Sequence, residues 1–335
     1  MTGPILCFGE LLLRLTTGGP DGLAEGRSLK LHVGGAEANV AGALARFGHE
    51  VRMISALPQN ALGAAVRGEL RRRDIDDSAV ETADGRLGLY FHLGGSGHRP
   101  AEIVYDRVGS VFAETPASRY DWTSLLDGAS WLHLSGVTPA IGPGPAEAAA
   151  QAAEAAAARG LEVSFDFNHR EKMWARWGGD PAPYLRRLAG AATVLFANDH
   201  DLDRVLSDDG AERGRGLTRA AAAFEAFPRL RMIATAARTA RSVEDQSLAA
   251  TVIDRSRGIG TAEAHMSSVV DRIGAGDAFA AGLIHADVTG EGVERIAATA
   301  TASSCLKHAV PGDMSDIGPE QLAHYLSGSG ADVLR

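Results

Sequence analysis

Short apolar runs alternate with longer helical patterns along most of the 335 residues, and this rhythm limits the fold more than any other feature. The apolar runs predict strands at 5–8, 51–54, 131–134, 163–167, 193–196, 232–234 and 248–252. Helical patterns lie between them at 36–47, 62–73, 146–159, 183–189 and 217–227. Strands separated by helices of this length form βαβ units. The sequence therefore predicts an α/β fold with a doubly wound, mostly parallel sheet, in which ligands gather beyond the carboxyl ends of the strands.

Two segments, 11–33 and 87–111, interrupt this rhythm with alternating apolar and polar residues and no helix. Such alternation predicts antiparallel strands with one exposed face. The segments are either two surface hairpins on the main sheet or, as we favour, one small β-sheet lid that closes over a cleft. We accordingly expect an α/β core made of residues 1–10, 34–86 and 112–326, a lid made of 11–33 and 87–111, and a flexible tail at 327–335.

Composition excludes several classes of protein. A formal net charge of −9 argues against a nucleic-acid-binding protein, which needs a basic face. No apolar stretch reaches the length of a membrane span, and the N-terminus has no basic region of the kind that begins a signal peptide. The only two cysteines, Cys7 and Cys305, are far apart, which indicates thiols in a reducing compartment rather than a disulfide framework or a structural zinc site. We therefore expect a cytoplasmic protein with small-molecule partners.

A glycine turn near the C-terminal end has the strongest chemical signal. Gly274, Ala275 and Gly276 follow an apolar run and precede a helical pattern, so backbone N–H groups at the helix start can point at an anion. Asp277 then falls in the first helical turn, where it could accept a proton from a substrate hydroxyl. Taken alone, the same pattern is typical of an acidic residue that only complements the helix dipole.

A second glycine-led helix start lies near the N-terminal end, where Gly34 and Gly35 precede a helical pattern with Asn39 one turn inside. Its functional interpretation is contact with substrate hydroxyls, and its structural interpretation is a buried amide. The two elements, Gly-Gly-Ala-x-Ala-Asn-x-Ala and Gly-Ala-Gly-Asp-Ala-Phe, resemble in order and separation the two signatures of the ribokinase (pfkB) family of sugar kinases. The resemblance implies a Rossmann-like, ribokinase-like core with a β lid, ATP and Mg²⁺ as cofactors, Asp277 as the catalytic base and residues 274–276 as the anion hole.

Within that family, the run Asp166-x-Asn168-x-Arg170-x-x-x-Trp174 resembles the 2-keto-3-deoxygluconate kinases, as does the segment that ends at Asp313. The resemblance implies a sugar acid as substrate, phosphorylated at its terminal hydroxyl. Guanidinium groups suit such a substrate because they pair with a carboxylate through two hydrogen bonds. The substrate-binding residues that the resemblance implies are Gly34, Gly35, Asn39, Tyr90, Tyr105, Arg107, Arg170 and Asp313.

The nucleotide side departs from the family pattern. The resemblance implies ATP contacts from Asn168, Asn198, Thr235, Arg238, Gly274 and Gly276, and a water-mediated Mg²⁺ contact from Asp201. The family's glutamates are replaced by Asp199 and Asp201, and its Thr-x-Gly-x-x-Gly run reads Thr-Ala-Ala-Arg-Thr-Ala from Thr235. Loss of the glycines removes conformational freedom where the backbone approaches the nucleotide, and Arg238 could compensate by offering charge to a phosphate.

Other functions stay open at this level. A kinase of the same family could act on a neutral sugar such as fructose or ribose, and a non-catalytic sugar-acid sensor could retain the fold. A dinucleotide-dependent oxidoreductase does not match, because its glycine fingerprint would open a βαβ unit with an acidic residue about 20 residues later. Lids in the ribokinase family often pair between subunits, so the resemblance implies a homodimer.

Overall fold

The computed structural model describes residues 3–17, 22–24, 28–206 and 215–328, in which the strands form two sheets. The strands of the larger sheet are β1 (Ile5–Phe8), β4 (Val51–Pro58), β5 (Ile75–Asp76), β6 (Val80–Ala83), β9 (Trp131–Ser135), β10 (Glu162–Asp166), β11 (Val194–Phe196), β12 (Met232–Ala240), β13 (Gln246–Asp254) and β14 (Gly258–Met266). The strands of the smaller sheet are β2 (Leu12–Thr16), β3 (Lys30–Gly34), β7 (Gly88–Leu93) and β8 (Glu102–Asp106).

Most of the helices lie between strands of the larger sheet. They are α1 (Ala36–Arg46), α2 (Ala61–Arg72), α3 (Val111–Glu114), α4 (Trp122–Leu125), α5 (Val137–Ala140), α6 (Pro143–Ala158), α7 (Glu171–Trp177), α8 (Pro181–Ala191), α9 (Asp199–Asp203), α10 (Leu217–Ala226), α11 (Ala275–Val288), α12 (Val293–Lys307) and α13 (Pro319–Leu326), with a 3₁₀ turn at Ala117–Arg119. No helix in the described ranges is both long enough and apolar enough to pass through a membrane.

The larger sheet has the order β14-β13-β12-β11-β10-β9-β1-β4-β5, with β6 also paired to β4. Neighbours from β12 to β5 pair in parallel, which confirms the prediction of a mostly parallel α/β sheet. The strand predicted at 248–252 exists as part of β13, but it runs antiparallel to β12 because the two form a hairpin. β14 extends this antiparallel edge and was not predicted.

Helices cover both faces of the sheet, and each face has its own apolar core. One core includes Leu44 of α1, Phe279 of α11 and Ile296 of α12. The other includes Ala149 of α6 and Leu185 of α8. Helices on both faces explain why the central strands are buried along nearly their whole length rather than at alternate residues. The sheet is therefore rigidly held, and the loops at its carboxyl edge have a fixed support.

The smaller sheet is built from the two segments that interrupt the sequence rhythm, in the order β3-β2-β7-β8. The predicted antiparallel pairing is correct for β2 with β3 and for β7 with β8, and it is wrong for β2 with β7, which pair in parallel. The reason is that β1 and β6 both run parallel to β4. The chain therefore leaves β1 and β6 at the same edge of the large sheet. It then enters β2 and β7 in the same direction, so these two strands are parallel. The predicted tail at 327–335 lies outside the described residues from 329 onward.

Candidate active site

A cleft of about 830 Å³ separates the carboxyl end of the large sheet from the small sheet. Every site residue predicted from the sequence lines it except Gly34: Gly35, Asn39, Tyr90, Tyr105, Arg107, Asn168, Arg170, Asn198, Asp201, Thr235, Arg238, Gly274, Ala275, Gly276, Asp277 and Asp313. Gly34 lies directly against one of these residues, since a Cβ atom added to it would come within 2.2 Å of Asp313 Oδ2. The fold therefore brings residues from the whole length of the chain to one site.

The glycine turn before α11 opens into this cleft. Gly274 has a positive φ of 81° and precedes the helix as its N-cap residue. A Cβ atom at this position would lie 1.9 Å from the carbonyl oxygen of Asp313, so both the backbone conformation and the space require glycine. N–H groups in the first turn of a helix lack intrahelical acceptors and mark the positive end of its dipole. The turn can therefore hold an anion beside Asp277.

Asp277 is held in place by Asn39. The amide Nδ2 of Asn39 donates a hydrogen bond of 2.7 Å to Asp277 Oδ2, and the amide oxygen of the buried Asn39 has no partner in the described structure. Burial raises the pKa of Asp277 to about 7, and the charges of Glu37 and Asp313 act in the same direction. The Asn39 hydrogen bond and the charge of Arg170 oppose that rise. A carboxylate with a pKa near neutral is suited to accept a proton at physiological pH.

Glu37 is one of the groups that raise the pKa of Asp277, and it was not predicted as a site residue. It is 1% exposed and lies in the first turn of α1. Its Oε1 atom accepts hydrogen bonds from the backbone N–H of Ser135 at 3.0 Å, from the Ser135 hydroxyl at 2.8 Å and from the Thr138 hydroxyl at 2.7 Å. Burial also raises the pKa of Glu37 itself. These hydrogen bonds connect α1 to the loop after β9. Glu37 forms no salt bridge with a described residue.

Asp166 is a second carboxylate with a pKa raised to about 7, and no role was predicted for it. Burial is the main cause, and the negative charge of Asp277 is the next. It ends β10, and its Oδ1 atom accepts a hydrogen bond of 3.1 Å from the backbone N–H of Asn168, whose φ is +30°. The sequence signal was available, because an acidic residue at the carboxyl end of a parallel strand points toward the ligand edge of the sheet.

A buried ion cluster joins the small sheet to the loops around the glycine turn. Arg14 of β2 donates from Nη1 to Asp271 Oδ2 at 2.7 Å and to Asp313 Oδ1 at 3.2 Å, and its Nη2 lies 2.7 Å from His92 Nδ1. Tyr90 of β7 donates its hydroxyl hydrogen to Asp313 Oδ2. Both oxygens of Asp313 are thus engaged by the small sheet. Asp271 also accepts hydrogen bonds from the backbone N–H groups of Ile273 at 3.0 Å and of Gly312 at 2.9 Å.

Lys307 adds a second buried cation to this cluster. Its side chain is fully buried, its Nζ donates to the carbonyl oxygen of Val310 at 2.9 Å, and its Cε lies 3.4 Å from the position of a Cβ atom built on Gly274. Burial lowers the pKa of Lys307, while the charges of Asp271 and Asp313 raise it. Two cations and two carboxylates therefore lie behind the glycine turn.

Arg107 is anchored by a buried carboxylate that was not predicted as a site residue. Its Nε donates to Glu10 Oε2 at 2.7 Å, its Nη2 also contacts that atom, and the Ser110 hydroxyl donates to Glu10 Oε1 at 2.5 Å. Its guanidinium lies 5.8 Å from the ring centre of Tyr105. Arg170, by contrast, lines the cleft and forms no salt bridge with the described residues, and its charge lowers the pKa of Asp277 and of Asp166. The two predicted arginines therefore differ in how much positive charge they offer a ligand.

The nucleotide side of the cleft is formed by a regular strand. Thr235 donates its hydroxyl hydrogen to the carbonyl oxygen of Ala197 at 2.6 Å. The residues that replace the expected glycines pair with β13 as ordinary extended backbone along β12. Alanine adopts this conformation as readily as glycine, so the departure from the family pattern requires no strained backbone. Arg238 donates to Gln246 Oε1 at 2.9 Å.

Asn198 and Asp201 lie at the start of α9, where they form a reciprocal capping box. The backbone N–H of Asn198 donates to Asp201 Oδ2 at 3.1 Å, and the backbone N–H of Asp201 donates to Asn198 Oδ1 at 3.0 Å. This arrangement fixes the start of the short helix at the rim of the cleft. Burial raises the pKa of Asp201.

Mg²⁺ fits the carboxylates of this cleft only in part. The charges of Asp277 and Asp201 both raise the pKa of Asp166, while the charge of Arg170 and the Asn168 hydrogen bond lower it, so several carboxylates lie near one cation. A hard divalent cation would relieve the negative charge of these carboxylates. No group of three histidine, cysteine or acidic side chains in the described ranges could hold an ion by itself. The carboxylates would therefore hold Mg²⁺ together with water and phosphate oxygens, as Mg²⁺ usually is held.

Comparisons with known proteins show the family of the chain. Residues 4–318 match the profile described as pfkB family carbohydrate kinase. A 2-dehydro-3-deoxygalactonokinase from Haloferax volcanii is 29% identical over the full length of both chains, and a 2-dehydro-3-deoxygluconokinase from Bacillus subtilis is 25% identical over 96% of this chain and 94% of its own. The crystal structure of a 2-dehydro-3-deoxygluconokinase from Thermotoga maritima superposes with a TM-score of 0.87 and 30% identity, covering 97% of this chain and 100% of that one. The chain belongs to the pfkB family of carbohydrate kinases, with the ribokinase-like fold and the phosphotransferase activity of that family.

Proposed function

We propose that the chain is an ATP- and Mg²⁺-dependent sugar-acid kinase that phosphorylates 2-keto-3-deoxygluconate, or its C4 epimer 2-keto-3-deoxygalactonate, at the terminal hydroxyl. The observation that carries the proposal is the position of Asp277, with a pKa raised to about 7, beside a glycine turn that opens into a cleft also lined by Arg170. The matched relatives that act on these two sugar acids cover nearly the whole chain, which supports the choice of substrate.

The geometry supports a direct transfer. Asp277 accepts the proton of the terminal hydroxyl while that oxygen bonds to the γ-phosphorus of ATP, and the bond from the γ-phosphorus to the β,γ-bridging oxygen breaks to leave ADP. N–H groups of residues 274–276 stabilise the negative charge on the transferring group. Asn39 orients the carboxylate of Asp277, and its unpaired amide oxygen is available to a sugar hydroxyl. Bound Mg²⁺, held through Asp166, Asp201, water and phosphate oxygens, would screen the charge of the phosphates.

The substrate carboxylate is assigned to Arg170 and Arg107, with Tyr90 and Tyr105 beside it. Arg170 carries the free charge, while Arg107 is already paired with Glu10 and offers its remaining N–H groups as hydrogen-bond donors. The contacts proposed for ATP come from Asn168, Asn198, Thr235 and Arg238, all of which line the same cleft. Gly34 and Gly35 would allow the backbone to approach the sugar closely, because glycine has no side chain.

A kinase for a neutral sugar such as fructose or ribose is the second candidate, and the Glu10–Arg107 pair is the observation that favours it. A buried carboxylate that neutralises one of two arginines lowers the charge available to a sugar acid. A non-catalytic sensor has less support, because the nucleotide-side strand is regular and unstrained.

A substrate panel tests the proposal. Purified protein with ATP and Mg²⁺ is offered the two sugar acids, fructose and ribose, and ADP formation is measured. We expect turnover of the sugar acids and a larger loss of kcat/KM for Arg170→Ala than for Arg107→Lys. Turnover confined to neutral sugars would overturn the proposed substrate, and nucleotide binding in calorimetry without any turnover would favour the sensor.

We also propose a cytoplasmic homodimer that pairs through the small sheet. Leu31, Val104 and Val108 of this sheet and its loops are large apolar residues exposed by 62%, 43% and 61%. Analytical ultracentrifugation of the wild type and of a Leu31→Lys, Val104→Lys variant decides it. A dimer that the double variant converts to a monomer supports the proposal, and a wild-type monomer contradicts it.

A further inference from the structure

A second cavity of about 260 Å³ lies beside the main cleft, between the hairpin tip of the small sheet and the turn that joins β12 to β13. Hydrogen bonds connect the two elements that enclose this cavity. The backbone N–H of Val243 donates to the carbonyl oxygen of Gly97 at 2.8 Å, and the backbone N–H of Gly97 donates to the carboxylate oxygens of Glu244 at 3.0 and 3.1 Å. The cavity is therefore enclosed by two elements that contact each other directly.

Its described lining is strongly basic. Arg238, Arg241, Arg272 and His98 line the cavity, and no acidic side chain is among its lining residues. The acidic residue at the contact between the two elements, Glu244, is already engaged by Gly97. Three guanidinium groups without an acidic residue are not expected from composition, because the chain has a formal net charge of −9. Such a local concentration of positive charge is typical of a site for an anion.

Arg238 and Arg272 belong to both the cavity and the main cleft. The only hydrogen-bond partner of the Arg238 side chain in the described ranges is the neutral amide of Gln246. Arg272 has no side-chain hydrogen bond or ion pair with any described residue, although it stands two positions before Gly274. Burial lowers the pKa of Arg238, and the positive charge of Arg272 lowers it further. The two arginines are thus held near each other without neutralisation.

Strand β12 runs from the cleft to the cavity. Residues 234–236 and Arg238 line the cleft, and Arg238, Ala240 and Arg241 line the cavity, so the strand borders both spaces and Arg238 lies where they meet. The alanine side chains are small and leave room above the strand. The arginine supplies charge at the junction of the two spaces.

We propose that Arg238 and Arg272 bind the polyphosphate chain of a nucleoside triphosphate where the cleft meets this second cavity. Guanidinium groups bind phosphate oxygens through paired, charge-assisted hydrogen bonds, and two of them would add to the hydrogen-bond donors of the glycine turn. The assignment deepens the proposed function and rests on its choice of ATP as the donor. It assigns a function to Arg272. It also explains how the phosphates of ATP can be bound beside a strand that lacks the glycines of the family pattern.

Calorimetric titration with ATP and with AMP tests the assignment, because it needs no sugar substrate. The proteins are the wild type, Arg238→Gln, Arg272→Gln and, as the matched control, Arg241→Gln, which lines the cavity but not the cleft. We expect each of the first two variants to weaken ATP binding by about 10-fold or more, as loss of a charge-assisted hydrogen bond does. AMP binding should change by less than about 2-fold, since AMP lacks the β- and γ-phosphates, and Arg241→Gln should resemble the wild type for both nucleotides.

Unchanged ATP binding in Arg272→Gln, or equal losses for ATP and AMP, would overturn the assignment while leaving the proposed kinase function intact. Binding of inorganic phosphate to the ATP-saturated wild type that disappears in Arg272→Gln would assign the two arginines to a separate phosphorylated molecule, and would also overturn it. A wild-type chain that binds no nucleotide would contradict this inference and the proposed function together. Arg238, Arg241 and Arg272 are exposed, so their glutamine variants are expected to fold, and a thermal melt checks this.

Discussion

Asn39 donates a hydrogen bond of 2.7 Å to Asp277, and this contact joins the helix starts that follow the two glycine signatures of the sequence. The residues are 238 positions apart, so only the folded chain makes them neighbours. Asn39 stabilises the ionised carboxylate, whereas burial and Glu37 act against ionisation. The protonation of Asp277 near neutral pH therefore depends on burial, on the Asn39 hydrogen bond and on the charge of Glu37. Asn39 and Glu37 can each be altered by a separate substitution.

Asn39→Ala should lower kcat/KM for the sugar acid by about 10- to 100-fold, since a hydrogen bond to a charged group contributes about 1.5–3 kcal/mol. Removal of the donor also raises the pKa of Asp277, because the hydrogen bond now lowers it. The base must be ionised to act, so the acid limb of the kcat/KM profile should move to higher pH. A profile of unchanged position would contradict this role of Asn39.

Glu37→Gln should have the opposite effect on the pH profile. The negative charge of Glu37 raises the pKa of Asp277, so a neutral amide lowers that pKa and moves the acid limb of kcat/KM to lower pH. The matched control is Glu147→Gln on α6, whose carboxylate pairs with Arg187 away from the cleft. An acid limb that stays in place in Glu37→Gln, or that moves equally in the control, would refute the electrostatic coupling.

Asp166→Asn should raise the Mg²⁺ concentration needed for half-maximal activity. Asp166 shares its end of the cleft with Asp277 and Asp201, and its carboxylate is the one whose charge a bound cation would compensate. The measurement is initial rate against free Mg²⁺ at constant ATP. Equal Mg²⁺ dependence in the wild type and the variant would remove Asp166 from the proposed metal site.

Arg14→Met should destabilise the protein strongly, because it leaves Asp271 and Asp313 buried with less compensating charge. Removing one partner of a buried ion pair typically costs about 3–5 kcal/mol in the free energy of unfolding. Arg86→Met is the matched control, since Arg86 forms an exposed pair with Asp106 beside the same small sheet and should lose about 1 kcal/mol or less. Urea denaturation of both variants compares the two losses. Equal losses would contradict the structural importance assigned to the buried cluster.

Much of the fold could be predicted because local pattern and tertiary environment agree. The apolar run at 5–8 is β1, and the helical pattern at 36–47 begins at the same residue as α1. β14 was missed because its glycine and alanine residues have weak strand propensity, and pairing with β13 holds it in the sheet. The parallel pairing of β2 with β7 depends on the direction in which two distant strands leave the large sheet, which no local pattern records.

The motifs led to residues that line the cleft, as with Asp277 and Arg170. The buried partners at the site were not predictable. Arg14 and Asp271 are 257 residues apart, and Glu10 and Arg107 are 97 residues apart, so neither pair leaves a signal in local sequence. Arg272 was overlooked for a different reason, because an arginine beside a glycine turn resembles any solvated residue until its neighbours are known.

Asp277→Asn tests the central claim most directly. The measurement is the rate of sugar-acid-dependent ADP formation from ATP and Mg²⁺, together with a thermal melt of the same protein. We predict that kcat falls by about 10²- to 10⁴-fold, as expected for loss of a general base. The melting temperature should be unchanged or higher at a pH above the pKa of Asp277, because ionisation of a carboxylate with a raised pKa disfavours the fold there. A variant that keeps kcat within about 3-fold of the wild type would contradict the assignment of Asp277 as the base.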